Sequence, residues 1–292
     1  MKELLLDHIF PTTDGIDDGF VIKESWQLNK QFEFEKTIFK NIGICRMKDR
    51  ISKAVVKIQD VKCSKKAMKA VANELRIIRQ CHHPHIIKHL AIYTEGSIVM
   101  QFFPFYKQGD LLFKQQTTTL QDIQIRRITY ELLLAIEYLH KLHIVHADIK
   151  LENVICINDS FLFDVKLIDF GNAAILDRNK KYRLLGTFGY MAPEVMSNKK
   201  QSYPIDLWSL GVLIYALKTK QLPFGNNEET WMYKKQVMKC KVKYGQSIFE
   251  KKSQIKSFLK SIFILEPEKR MTATECLAHP WINPTFDKLK FC

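Results

Sequence analysis

The spacing of apolar residues changes along this 292-residue chain, and that change limits the folds open to it. Residues 31–58 contain short strand-like runs separated by polar turns. Residues 65–80 switch to a helical period, and strand-like runs return over 86–92 and 97–103. From Thr119 onward helical spacing dominates. We therefore predict an α+β protein, in which a small β-rich lobe with one main helix precedes a larger helical lobe.

The predicted lobes have approximate boundaries. Residues 206–217 are apolar on nearly every side of a helix, which predicts a buried central helix in the larger lobe. We place the small lobe at 31–102 and the large lobe at 103–285, with an N-terminal extension over 1–30 and a tail over 286–292. A joint between two such lobes is where a ligand cleft is expected.

Composition excludes several classes of protein. The chain is 46% hydrophobic and 11% aromatic, which is typical of a folded domain rather than a disordered segment. Its seven cysteines form no CxxC pair, which argues against a zinc ribbon and favours a reducing compartment. Five acidic residues fall within the first twenty, unlike a secretory signal, and no apolar run approaches the ~20 residues that span a bilayer. We expect a cytoplasmic protein with no membrane association, and the nucleus is left open.

The net charge of +14 comes from Lys and Arg residues scattered along the chain, with one dense stretch. Residues 234–260 hold nine basic residues against the single acid Glu250. A solvated, lysine-rich helix face is the favoured interpretation, and a docking face for acidic partners is the alternative. A nucleic-acid partner would rest on charge alone and is not expected.

Five short motifs occur in a fixed order, and together they carry the chemistry. Lys57 ends a strand-like Ala-Val-Val-Lys run, and Glu74 lies on the helix that follows. The segment His-Ala-Asp-Ile-Lys-Leu-Glu-Asn at 146–153 precedes Asp-Phe-Gly at 169–171 and Ala-Pro-Glu at 192–194. In this order and at these separations the chain resembles the eukaryotic protein kinase family over residues 31–285. The resemblance implies the bilobal kinase fold, with ATP and Mg²⁺ as cofactors.

The charged residues suit phosphoryl transfer, which asks a protein mainly for positioning and charge neutralisation. Lys57 is a compact cation suited to the α- and β-phosphates of ATP. Glu74 shares the inward stripe of its helix, where a carboxylate is costly unless it meets a cation, and Lys57 is the natural partner. The alternative is an ion pair that only stabilises the fold.

The catalytic segment supplies the other groups. Asp148 would orient the substrate hydroxyl and accept its proton, and Lys150 would neutralise the moving γ-phosphate. Asn153 and Asp169 offer hard oxygen ligands for Mg²⁺. Taken singly, Asp148 or Asn153 is more often a loop or cap residue. Lys150 together with Thr187 resembles the serine/threonine kinases, so a protein with a serine or threonine acceptor is the expected substrate.

The resemblance also assigns supporting positions. Met100 would guard the back of the adenine pocket, and the backbone groups of Gln101 and Phe103 would bond adenine. Three apolar side chains would sandwich the base: Ile42, Val55 and Ile155. Four residues would form an apolar column linking the lobes: Ile78, Leu90, His146 and Phe170. Asp206 would anchor the catalytic backbone, and Arg270 would pair with Glu194.

Two features depart from the family pattern. Spacing back from Lys57 places the three glycines of the phosphate-binding loop at 35, 37 and 40, where this chain has Glu35, Thr37 and Lys40. Gly43 is the third glycine only if the spacing to Lys57 is shortened. We expect weakened ATP binding from this loss.

The second departure is Ala147, which stands where regulated kinases carry an arginine that meets an activation-loop phosphate. No serine or threonine lies between Gly171 and Gly186, and the segment contains only Tyr182 as a hydroxyl acceptor. The sequence therefore predicts a serine/threonine kinase that does not require activation-loop phosphorylation. The alternative is a pseudokinase, a binding scaffold with weak or absent phosphotransfer.

Overall fold

The computed structural model describes residues 22–24, 28–48, 52–62, 64–177, 186–197, 202–225, 230–245, 249 and 253–283. The chain divides into two compact units. Unit 1 runs to His82 and includes Ile87–Lys107, and unit 2 comprises His83–Ile86 and the chain from Gln108 onward. The α+β, bilobal fold class predicted from the sequence is confirmed.

Unit 1 is built on a six-stranded sheet whose order is β1-β5-β6-β4-β3-β2. The strands are β1 (Ile22–Glu24), β2 (Phe32–Phe39), β3 (Ile42–Met47), β4 (Lys53–Asp60), β5 (Ala91–Glu95) and β6 (Ile98–Pro104). Strands β2 to β6 pair antiparallel, and β1 joins β5 in parallel. Strand β1 lies within the range assigned to the N-terminal extension, so the sheet recruits chain from outside the predicted lobe.

Two helices accompany the sheet, the short α1 (Leu28–Gln31) and the longer α2 (Lys65–Gln80). Helix α2 begins at Ser64, whose hydroxyl accepts a hydrogen bond from the Ala67 amide at 3.1 Å, an N-cap that satisfies a free backbone donor. Its buried stripe packs on one face of the sheet in a cluster of six apolar residues: Val61, Val71, Ala72, Leu75, Ile92 and Val99. The prediction of a helix over 65–80 is confirmed.

The opposite face of the sheet buries a second cluster: Phe32, Cys45, Ala54, Val56, Tyr93 and Phe102. Consecutive residues alternate between the two clusters because side chains on a strand point to opposite faces in turn. The two faces therefore bury different residue sets. Only side chains on the same face as Lys57 can lie near it.

One predicted strand is shorter than expected. Apolar residues suggested a strand over 86–92, but β5 begins only at Ala91. Ile86 instead forms an isolated bridge with Leu167 in unit 2, and its amide bonds the carbonyl of His83. The apolar run is therefore divided between the two units.

Unit 2 is mainly helical in its described part. Its helices are α3 (Leu111–Thr117), α4 (Asp122–Lys141), α5 (Pro193–Met196), α6 (Pro204–Thr219), α7 (Thr230–Lys239), α8 (Gln254–Ile262) and α9 (Ala273–Ala278). Every residue from Ile205 to Leu217 on α6 is buried, as the all-round apolar pattern predicted.

Two small antiparallel sheets support the loops of unit 2 that contain the predicted catalytic residues. Strand β7 (Ile144–Val145) pairs with β10 (Ala174–Ile175), and β8 (Val154–Cys156) pairs with β9 (Val165–Leu167). The segment 146–153 runs from β7 to β8, and Asp169 follows β9. No helix in the described part of the chain is long and apolar enough to cross a membrane.

Candidate active site

Asp148 lies at the centre of a hydrogen-bonded group in unit 2. Its Oδ1 accepts from the Thr187 hydroxyl at 2.6 Å and from the Thr187 amide at 3.0 Å. Lys150 Nζ lies 3.2 Å from Asp148 Oδ2 and donates to Thr187 Oγ1 at 2.7 Å. Three sequence-predicted residues thus meet around one buried carboxylate. Every one of these partners donates to the Asp148 carboxylate or to its neighbour Thr187, so the carboxylate is held in one position.

Asn153 completes the surroundings of Asp148. Its side-chain nitrogen donates to the Asp148 carbonyl oxygen at 2.8 Å and to Asp148 Oδ2 at 3.1 Å. Because the nitrogen makes both bonds, the amide oxygen of Asn153 is the atom available to a cation.

Asp169 lies at the same end of the β8–β9 pair as Asn153. Val154 faces Leu167 across these strands, and the Ile168 amide donates to the Asn153 carbonyl at 2.9 Å. Asp169 adopts a φ of +61°, and its carboxylate is exposed. One exposed carboxylate beside one amide oxygen fits a hard divalent cation that keeps water and phosphate among its ligands, as Mg²⁺ does.

The backbone before Asp148 is fixed from below by Asp206, at the start of α6. Asp206 is fully buried, and its two oxygens accept from the amides of His146 at 3.0 Å and Ala147 at 2.9 Å. His140 Nε2 also lies 3.0 Å from Asp206 Oδ2, a partner that the sequence reasoning missed. Ala147 has a φ of +63°, a left-handed conformation that L-residues hold only when their surroundings impose it.

His146 links the catalytic segment to the chain after β9. Its Nε2 lies 3.1 Å from the Ile168 carbonyl, and its Nδ1 accepts from the Asp148 amide at 3.3 Å. The His146 ring meets Phe170 edge-on at 4.9 Å. His146 and Phe170, the two residues of the predicted apolar column that belong to unit 2, are therefore in contact.

Gly186 allows the segment carrying Thr187 to approach Asp148. A Cβ at Gly186 would lie 2.8 Å from the Ala147 carbonyl oxygen, so this close approach requires glycine. Residues 178–185, which include Tyr182, lie outside the described residues.

A buried ion pair ties the next segment to unit 2. Arg270 donates to both oxygens of Glu194, at 2.8 and 3.1 Å, and also to the carbonyls of Pro204 and Ile264. This geometry agrees with the pairing expected from the sequence.

In unit 1, Lys57 on β4 and Glu74 on α2 form the expected ion pair. Lys57 Nζ lies 2.7 Å from Glu74 Oε1, and Glu74 is buried. The buried carboxylate on α2 is therefore compensated by a cation on the neighbouring sheet.

The strand register changes part of the proposed adenine pocket. Met100 lies opposite Ile58 and packs with the cluster on the face away from α2. Phe103 lies opposite Val55, on the face that carries Lys57. Met100 therefore does not share the face of Lys57, whereas Phe103 does.

Gln101 is also not available in the way the sequence suggested. Its backbone lies between Lys57 on β4 and Ile92 on β5, inside the ladder of the sheet, so it has no group free to bond adenine. Phe103 is paired with Val55 in the same ladder, so the adenine contact predicted for its backbone meets the same constraint.

Two further positions refine the apolar surroundings. Ile42 lies opposite Lys57 and Ile44 opposite Val55, so both isoleucines share the face of Lys57. Period-two alternation could have added Ile44 to the prediction. Ile155 lies in β8 and forms a bridge with Asp110. Leu90, expected in the column, is 43% exposed, and the preceding His89 is half-buried.

The hairpin between β2 and β3 has no glycine at its tip. The turn consists of Lys40, at a φ of +36°, and Asn41, whose side chain donates to the Ile58 carbonyl at 2.9 Å. Gly43 lies within β3, where a Cβ would come within 2.6 Å of the Phe34 ring, so its small size serves packing.

Glu35 forms two ion pairs within the sheet, which the spacing argument did not include. It accepts from Lys53 Nζ at 2.6 Å and from Arg46 Nε at 3.2 Å, on neighbouring strands. The hydrogen bond from Lys53 is the largest influence that lowers the pKa of Glu35. The negative charge of Glu35 is therefore balanced by two cations of the same sheet.

Comparison with known proteins agrees with this geometry. The protein kinase domain family matches residues 40–282. Calcium/calmodulin-dependent protein kinase type 1 of Macrobrachium nipponense is 27% identical over 250 residues, covering 84% of this chain and 72% of that protein. Myosin light chain kinase 2 of Bos taurus is 31% identical over 225 residues, covering 75% of this chain and 36% of that protein.

A third relative is serine/threonine-protein kinase 17A of Oryctolagus cuniculus, 29% identical over 208 residues, or 69% of this chain. The chain spans 52% of that kinase and about a third of the myosin light chain kinase. The match covers both units and every motif from Lys57 to Glu194. With the buried Asp148 group and the Lys57–Glu74 pair, it shows that the chain belongs to the eukaryotic serine/threonine protein kinase family.

Proposed function

We propose that this chain is an ATP- and Mg²⁺-dependent protein kinase that transfers the γ-phosphate of ATP to serine or threonine hydroxyls of a protein substrate. The observation that carries the proposal is the group around Asp148, where Thr187 and Lys150 converge at 2.6 to 3.2 Å. A carboxylate held by donors on both sides is suited to orient a hydroxyl and accept its proton.

Each residue then has a role in the transfer. Lys150 would neutralise charge on the moving phosphate, and Thr187 would fix Asp148 and Lys150 relative to each other. Lys57 would pair with the α- and β-phosphates. Asn153 and Asp169 would hold Mg²⁺, which supplies charge neutralisation at the phosphates.

The adenine pocket in this proposal is a revised one. In unit 1, Ile42, Ile44, Val55 and Phe103 would contact the base, and Glu74 would position Lys57. Ile155 of unit 2 keeps the adenine contact that the family resemblance implies. The revision replaces Met100 and the Gln101 backbone for the reasons of register given above.

The test is turnover of Mg-ATP on a generic protein substrate, comparing the natural chain with Asp148→Asn. Lys57→Met and Asp169→Ala belong in the same series. We expect each variant to lose about 10²-fold or more in kcat, because its work is electrostatic, with the thermal unfolding midpoint preserved. Phosphoamino acid analysis should show phosphoserine or phosphothreonine and no phosphotyrosine.

The alternative function is a pseudokinase scaffold, and the hairpin tip Lys40-Asn41 favours it, since glycine is absent where backbone amides approach phosphates in this family. Turnover indistinguishable from that of Asp148→Asn would select the scaffold. Binding of a fluorescent ATP analogue without turnover would then describe its remaining nucleotide site.

We also propose that the kinase does not need activation-loop phosphorylation. Ala147 has only a methyl group to offer, so it cannot bind a phosphate as an arginine does. Thr187 contacts Asp148, and Gly186 lies against Ala147. These contacts hold residues 186 and 187 in place without a phosphate, which supports the proposal.

A docking role for the basic segment 234–260 remains part of the proposal. Lys235 lies 5.9 Å from the exposed Trp231 ring on α7, and Lys256 lies 5.6 Å from the Tyr244 ring. Such a surface suits an acidic partner of cytoplasmic origin. Loss of binding of an acidic peptide at raised salt would support it.

A further inference from the structure

We propose that Gln101, oriented by His89, is a positioning residue that holds Glu74 and through it Lys57 in place for phosphoryl transfer. The inference rests on the proposed kinase function. It gives the Gln101 side chain a role that is separate from adenine binding.

Gln101 is fully buried in the central strand β6, on the face that carries Lys57. Its amide contacts three polar side chains of unit 1. Nε2 donates to Gln59 Oε1 at 2.6 Å and lies 3.5 Å from Glu74 Oε2, while Oε1 lies 2.6 Å from His89 Nε2. A glutamine buried this completely is retained only where its hydrogen bonds are made.

The Glu74 carboxylate decides which way this amide points. The Glu74 carboxylate is paired with Lys57 and accepts hydrogen bonds, so Gln101 turns its NH₂ group toward it. The Gln101 oxygen therefore faces His89, and the His89 ring must carry its proton on Nε2. The opposite orientation would set an amide oxygen against a buried carboxylate.

His89 is built to act as that donor. Its ring is half-buried and stacks on Phe103 with centroids 4.6 Å apart, which fixes its plane. Burial lowers the pKa of His89 to about 4, so the ring is neutral at physiological pH and donates from one nitrogen.

The two oxygens of Glu74 thus have partners on different strands. Oε1 meets Lys57 on β4, and Oε2 meets Gln101 on β6. A buried carboxylate with one oxygen unpartnered carries a desolvation penalty and can rotate away from its cation. Gln101 removes that freedom, so the position of α2 over the sheet is fixed by residues of unit 1 itself.

The experiment is a double-mutant cycle between Gln101→Leu and Glu74→Gln in the full chain. Both kcat and KM for ATP are measured with a generic protein substrate, together with the Kd of a fluorescent ATP analogue. Thr94→Val is the matched control, because Thr94 is also a buried polar residue of this sheet and lies on β5. Thermal unfolding midpoints are recorded for all variants.

We expect Gln101→Leu to lower kcat about tenfold in the natural background and to have no added effect once Glu74 is replaced. Gln101→Glu should be worse, since it places a second carboxylate against Glu74, and Thr94→Val should match the natural chain. The Kd cycle should show the same coupling.

Two results would overturn the inference. One is a Gln101→Leu variant with the kcat and Kd of the Thr94→Val control. The other is an equal loss in both backgrounds, which would mean that Gln101 only stabilises the sheet. If the natural chain shows no turnover above Asp148→Asn, the kinase function fails, and the coupling measured by Kd alone decides the inference.

Discussion

Thr187 is the residue whose hydroxyl connects the base and the cation of the candidate site, and its removal gives a sharp prediction. Thr187→Val should lower kcat by about tenfold or more, because Asp148 loses a 2.6 Å hydrogen bond and Lys150 loses its 2.7 Å acceptor. Thr187→Ser keeps the hydroxyl and should retain most of the activity. Steady-state kinetics with matched thermal midpoints check this. Equal rates for the valine and serine variants would contradict it.

His89 should make the stability of the chain sensitive to mild acid. Burial lowers its pKa to about 4 in the folded chain, while the unfolded chain takes up the proton near 6.5. The stabilising contribution is therefore complete above pH 6.5 and is lost as the pH falls toward 4. Between pH 7 and pH 5 the free energy of unfolding should fall by about 2 kcal/mol more than in His89→Phe. Urea denaturation at both pH values measures the difference, and parallel losses in the two proteins would refute the assignment.

At the scale of elements, the β2–β3 hairpin revises an expectation about ATP affinity. The sequence suggested that glycine at positions 35, 37 and 40 would lower the KM for ATP. Glu35, however, joins Lys53 and Arg46 across three strands, so the triple change would remove these sheet contacts as well.

We predict that Glu35→Gly lowers the thermal midpoint and leaves the KM for ATP unchanged. Lys40→Gly should preserve or raise the midpoint, because glycine adopts the φ of +36° at the turn without strain. Differential scanning calorimetry and ATP titration of each single variant separate the two effects. A lower KM in Glu35→Gly would restore the original interpretation.

The helices and motifs of this chain could be predicted from its sequence, and the strand register could not. Helix α2 covers the predicted residues because an amphipathic stripe and a serine cap both mark it locally. Met100 and Phe103 both lie in β6, and only the pairing with β4 shows which of them shares the face of Lys57. A shift of register by one residue moves every side chain to the other face.

Long-range polar contacts could not be predicted from the sequence for a related reason. Nothing local predicts that His89 contacts Gln101, since Leu90 is the more apolar of the two neighbours. Their environment is set by β4 and α2, which lie many residues away along the chain. The group around Asp148 was predictable because its residues recur at fixed spacing in the family.

For the whole molecule, independence from activation-loop phosphorylation is the regulatory prediction. Recombinant chain treated with a phosphatase should keep its activity, and Tyr182→Phe should match the natural sequence. The reason is that Ala147 provides no receiver for a phosphate. Tyr182 and its neighbours lie outside the described residues, so this prediction depends on Ala147 and Thr187. Activity lost after treatment and in Tyr182→Phe would contradict it.

Strand β1 has a consequence for the colloidal behaviour of shortened chains. Residues 22–24 pair with Ile92, Tyr93 and Thr94 and so cover the backbone groups at one border of the sheet. A fragment that starts after Glu24 would leave these donors and acceptors bare, and uncovered strand borders recruit other chains. Such a fragment should self-associate with rising concentration even though its helices and its Asp148 group are intact.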